Sequence, residues 1–308
     1  ERYGDAWLDA APGLQFLTLP DHRHLSDDEM AAIDIATFSS DLWLSGRGPS
    51  FFSVLLQAPS VQWLHMFAAG LDSPLFAELR RRGMRLSNSP GSTARPIAHT
   101  VMMHLVALCR NARRFADAQQ RHEWAARAIA NEDLEGRTVG IIGLGNIGAE
   151  VALLAPHFGM RVIGMRRSPT GAEPCETWPV TRLHELLPLV DDLVLTAPLT
   201  DDTRGIIGAD ELALLRPGAH VVNVGRGELI DEDAMIAALS AGHLGGAALD
   251  VFVTEPLPAE SPLWDLPNVI VTPHAAAGTP LGADRAADMF TRNLAAFVRG
   301  EPMPTEVP

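Results

Sequence analysis

The run Gly140–Gly148, GIIGLGNIG, decides the fold class. Gly143, Gly145 and Gly148 form a GxGxxG loop directly after the apolar run Val139–Ile142 and at the start of a helical pattern beginning at Asn146. In that strand–turn–helix setting each glycine has its own task. The first permits a tight turn, the second lets backbone approach a pyrophosphate, and the third lets helix pack on strand. The helix N-terminus offers unpaired N–H groups, Asn146 and Ile147 among them, and a partial positive charge suited to phosphate. The loop therefore predicts a dinucleotide held by Gly143, Gly145, Asn146, Ile147 and Gly148.

The next apolar run, Arg161–Met165, ends in Arg166, Arg167 and Ser168. This is close to the point, about 20 residues beyond the glycines, where an NAD-binding chain carries an acidic residue for the ribose 2′-hydroxyl. A carboxylate would repel a 2′-phosphate, whereas guanidinium forks bind one. The substitution predicts NADP(H) in preference to NAD(H).

Working outward, strand and helix patterns alternate on both sides of the loop, which argues for parallel α/β architecture. Downstream strands are predicted at Thr138–Ile142, Asp192–Ala197, His220–Val224, Gly246–Phe252 and Val269–Thr272, with helices at Leu183–Val190 and Asp231–Ala241. Upstream strands are predicted at Leu14–Leu19, Ile33–Phe38, Val61–Phe67 and Met84–Ser87. The chain opens in a helical pattern, Glu1–Ala11, which implies a strand before Glu1. Between the two runs, apolar residues at helical spacing predict one long helix from Pro96 to about Ala130. A last helix is expected from about Leu281 to Val298, followed by a Pro-rich tail, Pro302–Pro308. These patterns define two α/β lobes, residues 1–95 with 280–308, and 96–279.

The 308 residues suit two domains, and 47% hydrophobic content excludes a disordered chain. A net charge of −14 makes nucleic acid and anionic membrane poor partners. Cys109 and Cys175 are the only cysteines, so there is no disulfide framework and no CxxC metal or redox motif. The spacings of His22 with His24 and of His99 with His104 place no pair of rings on one helical face, and no metal is expected. No apolar run reaches membrane-spanning length and no signal pattern opens the chain, which predicts a cytoplasmic protein.

Three segments past predicted strand ends carry the candidate chemistry. They are Val222–Asp231 with Arg226, Gly246–Pro256 with Asp250 and Glu255, and Val269–Thr279 with His274. Ligands of open α/β sheets bind beyond the carboxyl ends of strands, so these side chains can converge on a cofactor. A guanidinium pairs with a carboxylate, and an imidazole titrates near neutrality.

Taken with TAPLTDDTRGII (Thr196–Ile207), LDVFVTEPLP (Leu249–Pro258), TPH (Thr272–His274), AAGLD (Ala68–Asp72) and NSPGSTA (Asn88–Ala94), the sequence resembles the D-isomer-specific 2-hydroxyacid dehydrogenase family over nearly its whole length. The resemblance implies a Rossmann nucleotide-binding domain inserted in a flavodoxin-like substrate-binding domain, and a homodimer made through the Rossmann domains. It implies a small 2-oxo or 2-hydroxy acid substrate, of the glyoxylate or hydroxypyruvate type. Arg226 would bind its carboxylate, and His274, paired with Glu255, would donate the proton. Backbone N–H groups at Gly70 and Leu71 are implied to hold the substrate, with Ala197, Pro198, Val224 and Asp250 along the cofactor. His99 and Ala275–Ala277 depart from the family pattern without touching the Arg–Glu–His set. A dinucleotide-sensing binding protein, like the family's corepressor relatives, is the alternative from another functional class.

Overall fold

The computed structural model describes residues 3–68, 70–71, 73–125 and 130–307, apart from the side chains of Ser40 and Leu44. Glu1 and Arg2 of the predicted first helix, Ala69 and Asp72 of AAGLD, and residues 126–129 lie outside it. The chain divides into two compact units, with boundaries at Thr93/Ala94 and Ala277/Gly278.

The first unit begins with α1 (Gly4–Ala10), α2 (Asp27–Ala31), β1 (Ile35–Phe38), α3 (Ser40–Leu44), α4 (Gly48–Gln57), β2 (Trp63–Met66), α5 (Pro74–Arg81) and β3 (Arg85–Ser87). The three strands pair in parallel, β1–β2–β3. Every side chain of β2 is buried, so its two faces feed two cores. Leu64 packs with Phe38, Leu79 and Leu86, while Trp63 belongs to a second cluster with Phe290 and Leu294. On the Trp63 face, beside Trp63 and Phe290, lies His65, whose Nδ1 is 2.7 Å from Ser87 Oγ and whose Nε2 is 3.0 Å from Ser89 Oγ. Ser89 Oγ donates to the Met66 carbonyl, so it accepts from Nε2–H. That leaves Nδ1 to accept from Ser87, whose oxygen accepts the Trp63 indole N–H at 2.8 Å. Burial pushes the pKa of this imidazole down to about 4.

The second unit runs α6 (Ala94–Cys109), α7 (Ala112–Gln120), β4 (Thr138–Ile142), α8 (Asn146–Leu154), β5 (Arg161–Arg166), β6 (Glu176–Pro179), α9 (Leu183–Leu186), β7 (Asp192–Leu195), α10 (Ala209–Leu214), β8 (Ala219–Asn223), α11 (Glu232–Ser240), β9 (Leu244–Leu249) and β10 (Val269–Val271). Its seven strands are all parallel in the order β10–β9–β8–β7–β4–β5–β6. This is the doubly wound Rossmann order, and the winding reverses between β4 and β7. β4 and its neighbours are buried apolar runs, as expected of strands covered on both faces.

The chain then returns to the first unit with α12 (Pro280–Val298) and β11 (Glu306–Val307). Phe290 and Phe297 of α12 stack on Trp63 with ring centroids 5.2 and 5.1 Å away.

Two sequence expectations need correction, and the tail gains a structure. Leu14–Leu19 forms no strand; Phe16 and Leu17 are exposed, and the segment is not part of the four-stranded sheet β1–β2–β3–β11. The long helix after Pro96 is two helices, α6 and α7. Asn111 adopts the left-handed conformation between them, with φ 50°, and its side-chain amide donates to the Ala130 carbonyl. Asn tolerates that conformation because its short polar side chain finds local partners. The Pro-rich tail is ordered as β11, which pairs antiparallel with β3 and is tied by the Arg85–Glu306 ion pair.

Candidate active site

The glycine loop links β4 to α8 at the point where the winding of the sheet reverses. Gly143 has φ +99°, and a Cβ there would overlap the Ala197 backbone that follows β7. A Cβ at Gly148 would overlap the Gly143 carbonyl, so the helix packs on the turn only without one. Gly145 has nothing within 4 Å of its Cβ position, which leaves the middle of the loop open to a close-lying group. No side chain caps the N-terminus of α8, so its first N–H groups remain available to an anion. The loop is locked by Thr196, whose Oγ1 donates to the Gly143 carbonyl at 2.7 Å. The amides of Gly143 and Leu144 donate to the Met165 carbonyl at 3.0 and 2.9 Å, fixing the loop to the end of β5. These residues fit the phosphates of a dinucleotide.

Past the end of β5, Arg166 and Arg167 part ways. Arg166 Nη1 donates to Glu173 at 2.9 Å, whereas Arg167 is exposed and makes no ion pair among the described residues. Ser168 is also exposed. Ala197 and Val224 are nearly buried behind the loops, and Pro198 is exposed.

The chemistry-bearing loops after β8, β9 and β10 are laced together. Gly227 sits so close to Phe252 and Val253 that any Cβ would overlap their backbone, which brings the Arg226 turn against the Glu255 turn. Asn223 braces that turn by donating to the Arg226 carbonyl at 2.8 Å and accepting from Gly225 N at 3.0 Å. Glu255 accepts from Phe252 N at 3.0 Å with one oxygen and meets His274 Nδ1 at 2.7 Å with the other. Burial raises the Glu255 pKa, but the His274 hydrogen bond, the Phe252 amide and the charges of His274 and Arg226 outweigh it and hold the carboxyl below its ordinary value. With Nδ1 engaged, His274 has Nε2 as the nitrogen free to exchange a proton; it is half-exposed, and its φ is 50°. A histidine in that sparsely populated conformation persists only where its surroundings over-determine it.

Asp250 is part of that over-determination. It is 2% exposed; one carboxylate oxygen accepts from Thr272 Oγ1 at 2.6 Å and Ala275 N at 3.0 Å, the other from Ala276 N at 3.1 Å. Its own carbonyl accepts from His274 N at 2.8 Å. The carboxylate expected along the cofactor is thus occupied in bracing the His274 loop. Thr196, Asn223 and Thr272 are braces that the sequence reading passed over, although each lies inside or beside a motif it quoted. Gly70 and Leu71 follow β2 in the first unit, and Arg226, Glu255 and His274 lie in the second.

Among the described residues, Cys109, Asp192 and His220 group three potential metal ligands at the opposite, amino ends of the strands. Arg137 donates to both Asp192 oxygens at 2.8 and 3.0 Å and lies 3.2 Å from His220 Nδ1. The positive charge in this cluster is therefore a guanidinium. Burial pushes the Cys109 thiol up to about 11, so it stays protonated.

A parallel seven-stranded sheet with a phosphate-ready glycine loop at its switch point, and a histidine–carboxylate pair at neighbouring strand ends, defines a dinucleotide-dependent α/β oxidoreductase. The chain belongs to the D-isomer specific 2-hydroxyacid dehydrogenase family, whose NAD binding domain matches residues 102–276. It is 37% identical over 259 residues to a glyoxylate reductase of Thermococcus gammatolerans, covering 81% of this chain and 77% of the relative. A D-isomer specific 2-hydroxyacid dehydrogenase from Xanthobacter autotrophicus, solved with NADPH and MES, superposes with TM-score 0.77 at 30% identity, over 99% of this chain and 93% of that one. An NADPH-dependent glyoxylate/hydroxypyruvate reductase from Sinorhizobium meliloti, solved with NADP and malonate, gives TM-score 0.76 at 28% identity over 92% of this chain and 86% of that one. The protein is an NAD(P)-dependent oxidoreductase acting on CH–OH groups. Among the described residues no helix is long and apolar enough to cross a membrane.

Proposed function

We propose that the protein reduces a small 2-oxo acid, of the glyoxylate or hydroxypyruvate type, and prefers NADP(H) to NAD(H). The observation that carries this reading is the 2.7 Å hydrogen bond between His274 Nδ1 and Glu255 on the loops beyond β9 and β10. When bound, the nicotinamide supplies the hydride. Gly143, Gly145, Asn146, Ile147 and Gly148 hold the pyrophosphate, and Arg166, Arg167 and Ser168 form the 2′-phosphate end of the site. Ala197, Pro198 and Val224 flank the nicotinamide side, and Asp250 holds the His274 loop in place.

Arg226 binds the substrate carboxylate and polarises the keto oxygen, because a planar guanidinium can serve both groups. The first unit, with the Gly70 and Leu71 amides, serves as the substrate-binding domain and the second as the nucleotide-binding domain. His274, oriented through Nδ1, delivers its Nε2 proton to the oxygen as negative charge develops there. Glu255 orients the imidazole through that hydrogen bond and offers it a counter-charge. The activities named for the relatives support the substrate class, and two of the solved relatives hold NADPH or NADP. The enzyme acts in the cytoplasm as a homodimer joined through its Rossmann units.

The test is NADPH oxidation by the purified protein with a pool of small 2-oxo acids containing glyoxylate and hydroxypyruvate, with NADH as the comparison. Consumption that requires the pool, runs faster with NADPH and is lost in Arg226→Ala is the expected result. Tight cofactor binding without turnover on any member of the pool would overturn it in favour of a dinucleotide sensor.

A further inference from the structure

Glu173 lies in the exposed loop between β5 and β6, yet its side chain is only 5% exposed. One of its oxygens accepts from Thr170 N at 2.8 Å, Thr170 Oγ1 at 2.8 Å and Arg166 Nη1 at 2.9 Å. The other accepts from Gly171 N at 2.8 Å. The Thr170 amide and hydroxyl lead the contacts that hold this carboxyl down to about 2, so it is charged across the working pH range. One carboxylate therefore closes the 170–173 turn and ties Arg166 to it.

The loop is fixed at both ends as well. Met165, just before Arg166, accepts from the glycine-loop amides. At Gly164 a Cβ would press on Leu144 of that loop and on Cys175 Sγ, so the far end of the β5–β6 loop packs on the same turn. Arg167 and Ser168 leave this fixed frame as exposed residues. Arg166 and Glu173 cancel in charge, which leaves Arg167 as the net positive charge at this end of the site.

We propose that Glu173 is a positioning residue for adenosine 2′-phosphate recognition: by pinning Arg166 and the 170–173 turn it presents Arg167 and Ser168 to the phosphate. The assignment rests on the NADP(H) reading above. It divides that reading's arginine pair into a gripping residue, Arg167, and a framing residue, Arg166. A competing effect has the opposite sign, since a carboxylate near a dianionic phosphate repels it. Here the carboxylate faces a guanidinium at 2.9 Å, so the pair acts outward as a dipole. Such a field is further screened over a Debye length of about 8 Å at physiological salt. The gain from ordering a long, rotamer-rich arginine and its loop before the ligand arrives outweighs that repulsion.

The experiment is calorimetric titration of the full-length protein with 2′,5′-ADP and with 5′-AMP, which differ only in the 2′-phosphate. Wild type should bind 2′,5′-ADP at least about tenfold more tightly, and Arg167→Ala should remove most of that margin. Glu173→Ala and Arg166→Gln should each weaken 2′,5′-ADP by about fivefold, Glu173→Gln by less, with 5′-AMP held within about twofold in all three. Tighter 2′,5′-ADP binding by Glu173→Gln would show that repulsion dominates and overturn the assignment. Equal losses for both ligands, or an unchanged ratio, would reduce Glu173 to a fold-stabilising residue and overturn it too. A wild-type protein that does not distinguish the two ligands would remove the NADP(H) reading itself, and the proposal with it.

Discussion

Two histidine–carboxylate pairs occupy opposite ends of the same seven-stranded sheet. His274 meets Glu255 at 2.7 Å beyond the carboxyl ends of β9 and β10, and both side chains are more than a third exposed. His220 meets Asp192 at 3.0 Å at the amino ends of β7 and β8, where they are 7% and 0% exposed. The chemical groups match, but their surroundings differ. In the first pair the imidazole keeps one nitrogen open on the side where the phosphate loop lies. In the second, Arg137 takes both oxygens of the carboxylate and crowds the same imidazole nitrogen. A histidine beside a carboxylate is thus open to proton exchange or a piece of buried scaffolding according to which end of the sheet it occupies and what else claims the carboxylate.

The largest effect that sharpens this contrast is on rate. His274→Ala should lower kcat for 2-oxo acid reduction by about 10²–10⁴-fold while NADPH affinity, read by fluorescence titration, changes little. Retained turnover would take His274 out of the proton-donor role. The counterpart at the other end concerns stability: Asp192→Ala leaves the mostly buried Arg137 with only the exposed Glu132 as counter-charge and should cost about 3 kcal/mol in urea unfolding. Turnover per folded molecule should survive, and a loss of kcat as large as that of His274→Ala would break the comparison.

A third histidine, His65, has hydroxyl partners and no carboxylate, and it titrates near 4 in the folded protein against about 6.5 when unfolded. The folded state then binds fewer protons in that interval, so this contribution is complete above about pH 6.5 and declines as pH falls toward 4. By pH 5 the loss should amount to about 2 kcal/mol, measurable as the difference in acid sensitivity between wild type and His65→Asn. The smallest effect is expected at the active pair: Glu255→Gln keeps a hydrogen-bonding group on His274 but removes its counter-charge. It should slow reduction by about tenfold, read as kcat at saturating NADPH. An unchanged kcat would mean that the Glu255 charge plays no part in the step.

The glycine loop shows how far local sequence reaches. β4 ends at Ile142 and α8 begins at Asn146, as the run Gly140–Gly148 predicts, because a turn that must admit phosphate is written in adjacent residues. The Arg226, Asp250, Glu255 and His274 segments were legible for a similar reason: each polar residue stands just past an apolar strand. What the same reading misses depends on partners far along the chain. Leu14–Leu19 has strand composition but joins neither sheet, and Glu306–Val307 has a poor composition but pairs with β3 and carries an ion pair to Arg85, 221 residues away.

Sequence alone determined the α/β class, the phosphate loop and the order of the catalytic candidates, since periodicity and turn chemistry act over a few residues. Only the tertiary structure separated Arg166, held by Glu173, from the exposed Arg167, and showed Asp250 bracing the His274 loop. It alone set the buried Asp192–His220 pair apart from the half-exposed Glu255–His274 pair. A charged side chain's role depends on which groups claim its hydrogen bonds and how much water reaches it, and both are decided by residues that folding brings together from distant parts of the chain.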